Sequence, residues 1–328
     1  MKRRKRSTGF GAALVIFGIA TGVALGIWLG QGDPERPLLR LPQGGFLRPT
    51  QTTAGTSQTV VQAGPVQPVG IRFTAADAAK ITLQYGADCN YRPDVKALLL
   101  SQLDWDLSGP GPRVLILHTH GSESYTKQPG QNYAASGDYR TLDSNYNMVM
   151  LGDLLARQLE AAGIEVLHDR ALHDYPSYNS SYTNARQSVQ DYLQQYPTIQ
   201  VVLDLHRDAV LNSDGSQYAP TVTAEGQPVA RLMLVVGTNA SGMHHPKWKD
   251  NLAAAVKLQV LLENQVPGIM RPVLLRAQRF NHDLSTGAMI VEVGAAGNTL
   301  EEAARAVEYL ARALIHLMHG TVTGNSTS

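Results

Sequence analysis

The sequence predicts an α/β fold: a mainly parallel sheet with helices on both faces, preceded by one N-terminal transmembrane helix. Three observations lead there. Strand and helix signals alternate from Pro112 onward. Several strand segments are continuous apolar runs, as strands covered on both faces are. An uncharged stretch of about 20 residues follows a basic N-terminus.

The chain opens "MKRRKR", and no charge then occurs from residue 7 to residue 32. Residues 10–30 are long enough to cross a bilayer core, and the run closes on Trp28, an interfacial residue. A cleavable signal has a shorter apolar region, about 7–15 residues, so a retained anchor is expected. The basic residues 2–6 are expected to stay cytoplasmic, placing the remainder outside a cell membrane that the chain crosses once. Without that segment the formal charge of +1 becomes about −4, which gives no nucleic-acid footprint. Cys89 is the one cysteine, so no intrachain disulfide forms.

Residues 31–70, rich in Pro, Gly, Gln and Thr, bury too little apolar surface to offset their ordering and read as a flexible linker. Residues 71–111 form an extension in which "VKALLLSQLDWDL" suggests a short helix. The catalytic-sized unit is residues 112–320, and 321–328 are expected to be a disordered tail. Within the unit, residues 113–117 form the first strand. Met148, Leu151, Leu155, Leu159 and Ala162 follow helical spacing, Gly163 stops that helix, and "IEVL" is the next strand. A helix over 181–196 leads into "IQVVLDLH", and "ARLMLVVG" adds a strand. A helix over 249–264 precedes "AMIVEVG". The last helix starts at Thr299 and Glu302, a capping box, and carries the stripe Leu300, Ala303, Val307, Leu310, Leu314, Leu317.

Three of these strands end in polar residues: "VLILHTH" in His118 and His120, "VVLDLH" in His206, and "MIVEVG" in Glu292. Sites in open parallel sheets form at the carboxyl ends of strands, so these groups are expected to converge. Alternation places Asp204 with His206 on one face, and His118 with His120 on one face. Catalytic zinc uses three protein ligands and keeps one position open. His120 and Glu123, three residues apart in "HGSE", together with His206, form such a set. His118 sits deeper and is the neighbouring choice, with support of the ligands its expected role. Glu292, among apolar neighbours, has a raised pKa and suits a general base, unless it is salt-bridged to Arg207. Arg207 and Asp208 either meet substrate or pair with each other. His282 is a candidate for lining the cleft.

The runs "ILHTHGSESY", "YNMVMLGDLLARQLEAAGIEVLHDR", "VVLDLHRDA" and "NHDLSTGAMIVEVGAAGNTLEEA" resemble the stage II sporulation protein P family. The order strand-His, helix, strand-His, strand-Glu is more distantly similar to zinc N-acetylmuramoyl-L-alanine amidases of the amidase 3 type. The resemblance implies a membrane-anchored peptidoglycan hydrolase that cleaves the amide between the lactyl group of N-acetylmuramic acid and L-alanine, with peptide cross-links as a second bond class. It implies Zn2+ as cofactor, the sporulation membrane proteins D and M as partners, and work during engulfment of the forespore. Matched motif by motif, it gives His120, Glu123, His206 and Glu292. The distant amidases carry a ligand Glu just before their first helix, where this chain has "LDSNYN", which leaves Asp143 as the substitute for Glu123. A zinc carboxypeptidase-like peptidase and a non-enzymatic wall-binding scaffold are the competing functions.

Overall fold

The computed structural model describes residues 71–324. The expected cytoplasmic segment, transmembrane helix and linker, and residues 325–328 of the expected tail, lie outside the described residues. Among the described residues no helix is long and apolar enough to cross a membrane.

The described residues form nine strands and five α-helices, in chain order β1 (Leu83–Tyr85), α1 (Val95–Leu100), β2 (Val114–Leu117), α2 (Met148–Ala161), β3 (Val166–His168), α3 (Ser181–Gln195), β4 (Val201–Asp208), β5 (Thr221–Ala224), β6 (Gln227–Ala230), β7 (Leu232–Gly237), α4 (Trp248–Gln265), β8 (Val273–Arg276), β9 (Gly287–Ala295) and α5 (Leu300–Gly324). Seven strands make one sheet in the order β1-β8-β7-β9-β4-β2-β3, and β5 and β6 form a separate hairpin. Every pair in the large sheet is parallel except β7 with β9. The sheet is therefore two parallel blocks facing opposite ways. That inversion brings the starts of β7 and β8 to the same edge as the ends of β4 and β9.

Helices lie on both faces. Val114, Ile116, Leu203 and Leu205 turn toward α2, α4 and α5, whereas Leu115, Leu117, Val202 and Ala288 pack with Ala185 and Val189 of α3. The all-buried strands β2 and β4 are thus covered on both sides, as their unbroken apolar runs require. The α2 N-terminus is capped by Asn147, whose side chain accepts from the Val149 N–H, and Gly163 beyond its end takes φ +83°. At α5, Thr299 Oγ1 accepts from the Glu302 N–H while Glu302 Oε2 accepts from the Thr299 N–H, the expected capping box. This helix runs on to Gly324, past the tail boundary expected at residue 321.

The boundary expected at Pro112 does not divide the sheet. Residues of the extension supply β1, which pairs with β8, and α1, whose last carbonyls at Leu98 and Leu99 accept from Lys257 Nζ of α4. Trp105 is buried against Gly287 at the start of β9. β1 and β8 are too short for a periodic signal, which is why the sequence alone does not show them.

Gly152 of α2 faces His118 and His168. A methyl group there would lie 2.6 Å from His118 Nε2 and closer still to His168 Nε2. Alanine raises helix propensity by up to about 1 kcal/mol, but overpacking costs about 1–3 kcal/mol where neighbours cannot give. Both rings are pinned, His118 by the Leu205 carbonyl and His168 by Asp153. Gly152→Ala is accordingly expected to lower the urea unfolding midpoint, with a net loss of roughly 1–2 kcal/mol. A midpoint equal to or above wild type would show that the rings move aside.

Candidate active site

The ends of β2, β4 and β9 carry the candidate residues. β4 and β9 run side by side in parallel register, so His206 stands directly beside Glu292, and Asp204 beside Ile290. Strand alternation keeps Asp204 and His206 on the α3 face, where Val202 also lies. β2 ends at Leu117, and the turn that follows carries His120 and Glu123 across to the same place.

His120 and His206 meet edge to face, with ring centroids 5.3 Å apart. His206 Nδ1 lies 3.6 Å from Glu123 Oε2, and His206 Nε2 lies 2.9 Å from Asp204 Oδ1, off the axis a hydrogen bond needs. Asp204 is itself fixed by the Thr119 N–H at 2.7 Å and the Thr119 hydroxyl at 2.5 Å. Burial works against a charge on Asp204, but the His206 ring and the Thr119 donors outweigh it and hold the carboxyl at about 2. Burial likewise opposes a cation on His206, and the Asp204 and Glu123 carboxylates lift its pKa well above the usual value. His120 is pulled down to about 4, chiefly by burial, so it keeps a lone pair at neutral pH.

Glu123 is the most heavily partnered carboxylate of the site. Arg140 Nη2 lies 3.3 Å and Arg207 Nη1 3.6 Å from Oε1, and the Arg207 N–H donates to Oε2 at 3.2 Å. Although burial opposes its charge, Arg207 and the two histidines hold its pKa well below the carboxylate range. Arg140 is braced in turn by Asp174 at 2.8 Å and the Ser122 hydroxyl. Arg207 donates to the carbonyls of Ser124 and Tyr139.

Several expectations are corrected by these contacts. His118 does not share a face with His120: its Nδ1 meets the Leu205 carbonyl and its Nε2 meets His168 Nε2 at 2.8 Å, on the α2 side. A carbonyl only accepts, so His118 Nδ1 carries the proton and both ring nitrogens are engaged away from the site. The turn after β2 breaks the alternation on which the shared face rested. Arg207 pairs with Glu123, and not with Glu292 or Asp208. Asp208 pairs with Arg271 at 2.7 Å. Asp143 accepts from Asn145 within its own turn. His282, the candidate for lining the cleft, is buried within electrostatic reach of Asp204 and His206 and is not contradicted by these contacts; its Nδ1 accepts from the Gly237 N–H, which leaves the proton on a buried Nε2 without a partner.

Glu292 is half-buried, and its Oε2 is buried with no hydrogen-bond partner. Burial, followed by the Asp208 charge, pushes its pKa up to about 8. Over His120 lies Tyr178, stacked at 4.5 Å and half exposed, with Arg140 above that ring at 4.9 Å; Tyr182 meets His120 edge-on. These tyrosines and Arg140 were not among the expected site residues. The spacing of Tyr178 and Tyr182, four apart in "YNSSY" at the head of α3, is the sequence signal for them.

The donor set fits zinc in kind. His120 Nδ1 is buried without a partner, and the 3.6 Å between His206 Nδ1 and Glu123 Oε2 is near the roughly 3.3 Å edge of a tetrahedron with bonds of about 2.0–2.1 Å. As the side chains stand, Glu123 is drawn toward the arginines, and among the described residues no three His, Cys, Asp or Glu side chains close into a metal cage.

Among solved structures the chain is similar to the N-acetylmuramoyl-L-alanine amidase AmiC2 of Nostoc punctiforme, at 14% identity, covering 63% of this chain and 97% of that one with a TM-score of 0.37. It is also similar to the CwlD amidase from Clostridioides difficile, solved in complex with the GerS lipoprotein, at 13% identity, covering 65% and 100% with a TM-score of 0.39. Stage II sporulation protein P of Bacillus subtilis (strain 168) is 29% identical over 204 residues, 59% of this chain. The chain matches 48% of that relative, about half its length. The family model described as stage II sporulation protein P matches residues 60–315. A match over that much of the sequence places the chain in a family: it belongs to the stage II sporulation protein P family.

Proposed function

We propose that this chain is a zinc-dependent N-acetylmuramoyl-L-alanine amidase that hydrolyses peptidoglycan during sporulation. The observation that carries the reading is the pairing of His206 and Glu292 at one register on neighbouring strands, with His120 and Glu123 brought beside them from β2. Family membership supports the cell-wall substrate and the sporulation setting. The apolar residues 10–30 support anchoring to the cell membrane with the catalytic domain outside it, and the sporulation membrane proteins D and M are the partners the family suggests.

In this reading His120, Glu123 and His206 hold the ion. Zinc, when bound, supplies Lewis acidity toward the scissile carbonyl and the attacking water. The Asp204 carboxylate faces the Nε2 side of the His206 ring as a close counter-charge, leaving Nδ1 toward Glu123. Arg207 and Arg140 fix the Glu123 carboxylate, and Tyr178 and Tyr182 wall His120 on two sides. Glu292 takes the proton of the attacking water at Oε2 and delivers it to the leaving amine of L-alanine, a role suited by a pKa near the working pH.

The test is digestion of purified peptidoglycan by the full chain, first stripped by a chelator and then resupplied with zinc, with the products read by mass spectrometry. Release of peptides with a new L-alanine amino terminus is expected to stop on chelation and return with zinc. Unchanged products after complete zinc removal would sink the metal assignment. New ends only within the peptides would instead favour the carboxypeptidase-like reading.

A further inference from the structure

The head of α3 brings a free hydroxyl to the site. Tyr182, in the first turn of that helix, meets the His120 ring edge-on at 5.6 Å, and Phe280 packs against the same tyrosine ring at 5.8 Å. The turn that carries Phe280 is tied to α3. Asn281 Nδ2 donates to the Tyr182 carbonyl at 2.9 Å, and one turn further along the helix Arg186 forms a two-pronged pair with Asp283, both contacts 2.9 Å. Phe280 and Asn281 take φ of +52° and +65°, side by side in the left-handed region. Asn tolerates that region, but a bulky Phe stays in it only where its surroundings hold it there. A strained turn thus fixes the ring of Tyr182 beside His120.

Phenylalanine would make those ring contacts equally well, so they leave the hydroxyl unexplained. Tyr182 is half-buried, its Oη makes no hydrogen bond among the described residues, and it is not one of the fully enclosed polar atoms, so solvent reaches it. Burial first, and then the charges of Asp204, Glu292 and Glu123, keep its proton in place. None of these carboxylates accepts that proton in a hydrogen bond. Tyr182 is therefore a neutral donor set among the reacting groups with its donor unused. Amide hydrolysis creates the missing acceptor. As water adds to the carbonyl carbon, the π electron pair moves onto the carbonyl oxygen, and a donor already in place there stabilises the transition state more than the substrate.

We infer that Tyr182 is a further catalytic residue, whose hydroxyl donates a hydrogen bond to the oxygen of the scissile carbonyl as negative charge develops there. The phenol keeps its proton throughout, so the step transfers nothing and stabilises only the anionic oxygen. Phe280 is its positioning residue. This rests on the amidase reading and deepens it, giving the head of α3 a part in the reaction beside His120, Glu123, His206 and Glu292.

The experiment compares the full chain with its Tyr182→Phe variant, which keeps the ring contacts to His120 and Phe280 and loses only the hydroxyl. Both are loaded with zinc. Cleavage of a synthetic muropeptide gives kcat and KM, and calorimetry gives the affinity for its phosphinate analogue, in which a tetrahedral anionic phosphorus replaces the scissile carbonyl carbon. Tyr182→Phe is expected to lower kcat about 10- to 100-fold with KM unchanged. The phosphinate is expected to bind more weakly by the same factor as kcat/KM falls, while binding of the cleaved L-alanyl peptide, zinc content and thermal midpoint stay as in wild type. An unchanged kcat, a change confined to KM, or a fall that tracks lost zinc or an early midpoint overturns the inference and leaves the amidase reading standing. Absence of amide cleavage by wild type removes the amidase reading. Phosphinate binding weakened by Tyr182→Phe would then still sustain the hydroxyl as the donor of the site, and equal binding would overturn both.

Discussion

Replacing Glu292 by Gln is expected to slow peptidoglycan cleavage about 10²–10⁴-fold, with the fold and the zinc content retained. Gln has the shape of Glu and keeps a carbonyl oxygen, so the space between His206 on β4 and Met233 on β7 stays filled. What it loses is the ability to take a proton. Because Oε2 of Glu292 makes no hydrogen bond and burial already disfavours its charge, nothing in the fold depends on an ionised group there. The thermal midpoint is therefore expected to equal or exceed that of wild type. Muropeptide release, metal content and melting on the same preparation separate the outcomes. A variant that retains zinc and melts normally yet digests wall at the wild-type rate would remove Glu292 from the reaction. A variant that fails and also melts early would show a structural acid in place of a base.

His206 and Glu292 were legible because both sit on long buried strands, where a period of two fixes the face and the strand end fixes the depth. The same rule misplaced His118, since the chain leaves β2 at Leu117 and the turn at His120 sends successive histidines to opposite sides of the sheet. Strand direction has no local signature at all. "LMLVVG" reads the same whether β7 runs with β9 or against it, so the inversion that sets Met233 at the start of β7 beside Glu292 was invisible. β8 adds the four residues "VLLR", shorter than any periodic test can resolve. Arg140 and Tyr178 were hidden for a different reason: they arrive on loop and turn segments whose path is set by tertiary contacts with Ser122, Asp174 and His120.

Glu123→Gln is expected to have two separable effects, and together they decide what this carboxylate is for. The charge of Glu123 faces Arg207, Arg140 and His206, all at 3.3–3.6 Å. Arg207 keeps its hydrogen bonds to the Ser124 and Tyr139 carbonyls in the variant but among the described residues has no other carboxylate within ion-pair distance, and it is almost wholly buried. Removing one partner of a buried pair costs about 3–5 kcal/mol, because the remaining charge stays out of water. Gln still accepts the Arg207 N–H, so a loss near the lower end of that range is expected in chelator-treated protein, measured by urea unfolding. If Glu123 also holds zinc, affinity by equilibrium dialysis falls by about 10²-fold or more, because a neutral amide oxygen is a poor substitute for a carboxylate ligand. The two readouts do not follow from each other. A stability loss with zinc affinity unchanged would make Glu123 solely the counter-ion of its arginines and remove it from the ligand set. A fall in affinity that persists where folding is intact, at low urea and low temperature, assigns Glu123 to the metal.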